Sequence, residues 1–163
     1  MSEDKGRASF VMSDDMRVYF NNIGVKTSRK RGESKTGQFP ALIHPFYLSM
    51  IMGISKRKMA EPQPMKESMI DEWASDARSY EEELDGLGFY LHCRSLGLVD
   101  DQADNRILDE MKSFFEGEAK YTNEGYAMMN KYAQGGFQII LDRIPDTRDL
   151  ADWLSLYLKI LEE

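Results

Sequence analysis

One cysteine, Cys93, and two histidines are all that the 163 residues offer as nitrogen and sulfur metal ligands. A lone cysteine excludes an intrachain disulfide framework and fits a reducing compartment. No HExxH, paired CxxC or EF-hand pattern occurs, so neither a structural metal nor a cofactor is expected. His44 precedes Pro45 and His92 neighbours Cys93, yet successive helix residues do not face one another. Cys93, on an apolar segment, reads as a small buried hydrophobe rather than a nucleophile served by a distant histidine. Long apolar runs are missing too. Ala41 to Ile54 is interrupted by His44 and Pro45 and falls short of the ~20 residues that span a bilayer. The opening MSEDKGRAS is polar, with no apolar h-region behind Met1. These absences point to a soluble, cytoplasmic protein without membrane contact.

What is present is a globular composition, 42% hydrophobic and 30% charged. The length suits one domain with an ordinary core. The net charge of −7 conceals a split: residues 1–66 hold 12 Lys/Arg against 6 Asp/Glu, whereas residues 67–163 hold 9 against 22. Such asymmetry marks either a binding surface at the basic end or two halves that attract each other within the fold. The basic residues cluster on both sides of the most apolar stretch, Phe39 to Met59. Lys26, Arg29, Lys30, Arg31 and Lys35 precede it, and Lys56, Arg57 and Lys58 follow it.

Read in order, residues 1–15 are polar and aperiodic, as in a flexible tail, and residues 16–163 form a single domain. Arg17 to Gly24 is rich in β-formers and reads as a short strand or an extended arm. Lys26 to Gly37 is an exposed, glycine-containing loop. Pro40 suits a first helical turn, while Pro45 either kinks the following helix or marks its true start. Phe46, Leu48, Met50, Ile51 and Ile54 cover most of that helix, which is therefore central. Lys66 to Leu84 has helical spacing, Gly86 and Gly88 break it, and Phe89 to Leu98 continues as a second segment. Asp100–Asp104 offers caps for a helix to Phe115 with Ile107, Leu108, Met111, Phe114 and Phe115 buried. Thr122 caps a helix carrying Tyr126, Met129, Tyr132 and Ala133. Gly135-Gly136 then permits a close helix–helix approach or a local bend before Phe137 to Ile144. Asp146 or Thr147 caps the last helix, with Leu150, Trp153, Leu154, Tyr157, Leu158 and Leu161 as its apolar stripe. The expected fold is mainly α: a compact bundle of five or six helices with at most one short N-terminal strand.

Two catalytic patterns fail on inspection. Gly32 to Gly37 has part of the spacing of a phosphate-binding loop, but Gln38 and Phe39 stand where lysine and a hydroxyl are required. Glu110-Met111-Lys112 and Glu118-Ala119-Lys120 match the E-x-K of metal-dependent nucleases. That triplet works on a strand, and helix positions i and i+2 diverge by about 200°. No helix-turn-helix with a basic recognition helix is evident.

Tyr132-Ala133-Gln134-Gly135-Gly136-Phe137-Gln138-Ile139-Ile140-Leu141 resembles the YANGG-hydrophobic-x-I-L segment of small bacterial proteins associated with DNA-phosphorothioation (Dnd) antiphage islands. The apolar helix followed by Gly53-Ile54-Ser55-Lys56-Arg57-Lys58 looks like the helix–glycine–basic stretch nearer that family's N-terminus. The chain departs from the pattern at Gln134, where asparagine is expected, and in its acidic middle. The resemblance implies an accessory protein of a defence operon working beside larger ATPase or nuclease subunits, with no catalytic residues to carry over.

The expected function is therefore non-catalytic. The chain binds a larger nucleic-acid-processing subunit of the same operon, and contacts DNA phosphates through Lys26, Arg29, Lys30, Arg31, Lys35, Lys56, Arg57 and Lys58. The alternative class is a nuclease or other hydrolase whose site escapes motif reading.

Overall fold

The computed structural model describes residues 10–25, 37–40, 42–62, 81–97, 105–106, 108–109, 123–145 and 149–163. They form a mainly helical fold of five helices: α1 (Asp14–Ile23), α2 (Ile43–Ser55), α3 (Glu81–Ser95), α4 (Asn123–Arg143) and α5 (Leu150–Glu162). Among the described residues the only β-pairing is an isolated bridge between Val25 and Phe39.

The expected strand at Arg17–Gly24 is a helix instead. Ser13 caps α1 by accepting the Met16 amide at 3.2 Å, and Asp14 and Asp15 in the first turn complement the positive end of the helix dipole. Met16, Phe20 and Ile23 then repeat at helical spacing and are buried. Their burial outweighs the strand preference of Val18, Tyr19 and Phe20, which is a weak, context-dependent term. Gly24, at φ 121°, ends the helix, and its amide donates to the Phe20 carbonyl. The chain is packed from Phe10 onward: Phe10 and Met12 are buried, and the Val11 amide donates to Asn130 Oδ1 at 2.8 Å.

The central helix is α2, and its Pro45 introduces no break. Pro45 is the third residue of the helix, where a backbone N–H has no intrahelical partner to lose. Phe46, Met50 and Met52 are fully buried, together with the small residues Ser49 and Gly53. The small residues face α4. A Cβ on Gly136 would lie 1.7 Å from the Ser49 carbonyl oxygen, and one on Gly53 would lie 2.0 Å from the Tyr132 carbonyl oxygen. Of the two roles open to Gly135-Gly136, close approach is the one realised, and α4 runs unbroken through both glycines for 21 residues. The order of these contacts shows that α2 and α4 run in opposite senses.

Helix α3 differs from expectation by running continuously through Gly86 and Gly88. Glycine in a helix interior costs only about 1 kcal/mol, which packing of Leu91 and Cys93 into the core offsets. Gly86 is exposed, and a Cβ added there would meet nothing within 4 Å. Gly86→Ala is therefore expected to raise stability by about 0.5–1 kcal/mol in urea unfolding. Leu108, expected in the core, is 55% exposed, while Ile107, Met111, Phe114 and Phe115 lie outside the described residues. The expected helix from Lys66 falls outside them up to Tyr80, as does Thr122.

On α5 the cap is Asp149, neither Asp146 nor Thr147. Its carboxylate accepts from the Ala151 and Asp152 amides at 2.7 and 3.2 Å. Trp153, Tyr157 and Ile160 form the buried face, flanked by the half-buried Leu150, Leu154 and Leu161; Leu158 is 55% exposed. Trp153 stacks on Tyr157 and meets Phe20 and Phe39 edge-on. The Trp153 indole donates to Tyr19 Oη at 2.9 Å, and the Tyr19 hydroxyl donates to the Ile144 carbonyl. The Tyr157 hydroxyl donates to the Leu48 carbonyl at 2.8 Å.

Burial pushes both phenols above the ordinary tyrosine value, the nearby Tyr47 adding to the effect at Tyr157 and the Trp153 hydrogen bond partly opposing it at Tyr19. The unfolded chain loses these protons from about pH 10 upward, while the folded chain keeps them. Stability is thus expected to hold below that pH and to fall above it. Thermal melts taken on both sides of about pH 10 check this, and Tyr157→Phe should lessen the alkaline fall. A melting temperature that stays level through the phenol range would contradict it.

Candidate nucleic-acid and partner interface

The basic triplet lies where α2 ends, and the ending has a defined geometry. The Lys58 amide donates to the Gly53 carbonyl at 2.8 Å and the Arg57 amide to the Ile54 carbonyl at 3.2 Å. Arg57 sits at φ 53°, the only non-glycine residue with positive φ among the described residues. This is a Schellman motif with arginine in the position usually taken by glycine. An arginine there accepts backbone strain that a glycine would avoid. The turn's amides are already used inside the motif, so they do not form an open anion-binding nest. Any anion would be met by the side chains of Lys56, Arg57 and Lys58.

Those side chains stand on a rigid base. A Cβ on Gly135 would lie 2.2 Å from the Lys58 carbonyl oxygen, so the turn is pressed against α4. The Ala60 amide donates to the Lys131 carbonyl at 3.0 Å, and Lys131 Nζ pairs with Glu61 at 3.1 Å. Arg57 is exposed, whereas Lys56 and Lys58 are half-buried with their stems along the protein. Among the described residues no carboxylate comes within ion-pairing distance of these three cations. The cations also complement the negative end of the α2 dipole.

The first basic cluster, Lys26, Arg29, Lys30, Arg31 and Lys35, lies outside the described residues. Its two flanks are placed: Val25 is bridged to Phe39, and the Phe39 amide donates to the Gly24 carbonyl at 2.9 Å. These flanks adjoin the start of α2, and the triplet stands at its end. The separation is the length of a 13-residue helix, about 20 Å.

No protein-family model, curated protein or solved structure matches this chain. Its chemistry is therefore read from its own residues. Among the described residues, no group of three or more His, Cys, Asp or Glu is placed to hold a metal ion, and no helix is long and apolar enough to cross a membrane. Cys93 is buried on α3. Glu110-Met111-Lys112 and Glu118-Ala119-Lys120 lie outside the described residues. The polar atoms buried near the turn serve the fold: Ser49 Oγ donates to the Pro45 carbonyl at 2.8 Å, and Asn130 Oδ1 holds Val11. Gln134, beside Gly135, is buried, and its Oε1 has no hydrogen-bond partner among the described residues.

Three charged residues in ion pairs, Lys131 beside the turn and Arg143 and Glu163 elsewhere, do not stand out in the sequence. Lys131 is legible in principle, since it stands one helical turn before Gly135 and so on the same face. Arg143 and Glu163 are not: they meet at 2.7 Å although they are 20 residues apart, a juxtaposition that only the tertiary fold creates.

Proposed function

We propose that this chain is a non-catalytic accessory subunit of a bacterial antiphage defence complex, cytoplasmic, docking on a larger nucleic-acid-processing ATPase or nuclease and contacting DNA phosphates through its basic turn. The observation that carries this reading is the Lys56–Lys58 turn, three cations on a base held by α4 that no carboxylate among the described residues pairs with. Exposed cations gain little from intramolecular pairing, ~0–1 kcal/mol each, but release counterions on phosphates. A second support is the contact between the two segments that carry the Dnd-island resemblance: Gly53 and Lys58 pack on Tyr132 and Gly135. Phosphate contacts give weak binding that is independent of base sequence and strengthened by a partner's own contacts.

Co-purification of the tagged chain from its native operon, with and without nuclease treatment, tests the subunit role. A larger protein retained after nuclease treatment is the expected result. Recovery of nucleic acid alone would contradict the docking role. Metal-dependent cleavage of DNA or RNA by the purified chain would place it among the hydrolases instead.

A further inference from the structure

Past the basic triplet the chain runs back along α4 toward that helix's N-terminal end. A Cβ on Gly135 would lie 2.2 Å from the Lys58 carbonyl oxygen and 2.9 Å from the Met59 Cα. One helical turn earlier on α4, the Lys131 carbonyl accepts from the Ala60 amide at 3.0 Å. These backbone contacts fix Lys131 beside the turn, about 6 Å along α4 from the level of Lys58. Its Nζ pairs with Glu61 Oε1 at 3.1 Å, the side chains being 39% and 81% exposed. Among the described residues the triplet pairs with no carboxylate, whereas Lys131 does, and that carboxylate comes from the continuation of the turn itself.

We propose that Lys131 is a fourth phosphate contact of the basic turn, and that Glu61 is a built-in competitor whose place on the ammonium a DNA phosphate takes. The inference rests on the nucleic-acid reading of the turn. One anion replaces another, so the cation is never left bare. The pair given up is exposed and therefore weak, while the phosphate brings the release of condensed counterions, which a lone carboxylate does not. Lysine meets phosphate as a point charge on a flexible stem, so no fork geometry has to be matched. Once displaced, Glu61 stays beside the phosphates and repels them. It thereby holds affinity down, in keeping with a turn that binds firmly only when a partner adds its own contacts. Phosphate on DNA, rather than an acidic peptide of a partner, is favoured because Lys131 extends the unpaired triplet into a row of cations, which suits a regularly charged backbone.

The test is fluorescence-anisotropy titration of a short labelled DNA duplex with the full chain at several low salt concentrations, folding of each variant being checked by circular dichroism. Lys131→Gln is expected to bind more weakly and to lower the slope of log affinity against log salt by about one, and Lys131→Arg to keep the slope of the parent. Glu61→Gln should bind about two- to fivefold tighter, the range set by the loss of one weak competing pair. In the Lys131→Gln background the same Glu61→Gln change should gain less than about twofold, because the carboxylate acts mainly through the ammonium. Equal gains in both backgrounds would make the effect one of general charge and overturn the inference. A Lys131→Gln variant that binds more weakly but keeps the parent's slope would make the pair a brace of the turn and overturn it too. Unchanged affinity in Lys131→Gln, with binding still dependent on Lys56 to Lys58, would overturn it while sparing the reading of the turn. Absence of binding by the parent and by Glu61→Gln alike would overturn both. An acidic peptide of equal charge that binds as tightly as the duplex would overturn the assignment to phosphate.

Discussion

Gly136→Ala is expected to destabilise the domain by roughly 3 kcal/mol or more, at or beyond the upper end for overpacked core substitutions. The added methyl would sit 1.7 Å from the Ser49 carbonyl oxygen, 2.6 Å from the Gly53 nitrogen and 2.8 Å from the Ser49 carbonyl carbon. All three are backbone atoms of α2, so no rotamer change relieves the clash. The helices must separate by about an ångström or more, and the packing of Phe46, Met50, Phe137 and Ile140 loosens as one. Against a total stability of about 5–15 kcal/mol, that is enough to populate unfolded chains. The control is Gly86→Ala. Alanine favours an isolated helix over glycine by about 1 kcal/mol, so the same exchange should stabilise at 86 and destabilise at 136. Urea midpoints for the two variants check this. Equal behaviour would mean that α2 and α4 do not meet through their glycines.

Trp153→Ala is expected to cost about 3–5 kcal/mol. Trp153 is fully buried, its ring lies 5.1 Å from Tyr157 and 5.6 Å from both Phe20 and Phe39, and its indole hydrogen bond reaches Tyr19. Removing it takes away the ring on which α1, α5 and the residues leading into α2 all pack. Trp153→Phe separates packing from polarity: it keeps an aromatic ring but leaves Tyr19 Oη without its donor, for a loss of about 1–2 kcal/mol. Chemical denaturation of both variants gives the comparison. A Trp153→Ala protein as stable as the parent would remove α5 from the core.

Much of this architecture is legible in the residues. The apolar density of Phe46 to Ile54 marks the central helix, and adjacent glycines at 135 and 136 mark either a close approach or a bend, a choice settled only by the packing of α2 on α4. Other elements mislead for physical reasons. Val18, Tyr19 and Phe20 favour strands locally, yet Met12, Met16, Phe20 and Ile23 already repeat at helical spacing, and Ser13-Asp14-Asp15 is a good helix start. Gly86 and Gly88 look like breakers, but neither needs a positive φ inside α3, so their cost is a modest loss of propensity. Leu158 points outward and Ile160 inward because α5 presents the face set by Trp153 and Tyr157. The basic triplet is legible as charge alone. Its left-handed Arg57, its packing on Gly135, and the Arg143–Glu163 pair depend on elements distant in the chain coming together, which local patterns do not encode.

The most direct measurement of the central claim is the salt dependence of DNA binding by the full chain and by the triple variant Lys56→Gln, Arg57→Gly, Lys58→Gln. Glycine at 57 suits the positive φ of the turn, so the variant should fold at least as well as the parent by urea unfolding. For the parent, log affinity should fall linearly with log salt, alike for duplexes of unrelated sequence. In the variant the slope should be shallower by roughly two to three, close to one for each cation taken off a phosphate. A parent that shows no salt-dependent binding, or a folded variant that binds like the parent, would contradict the account.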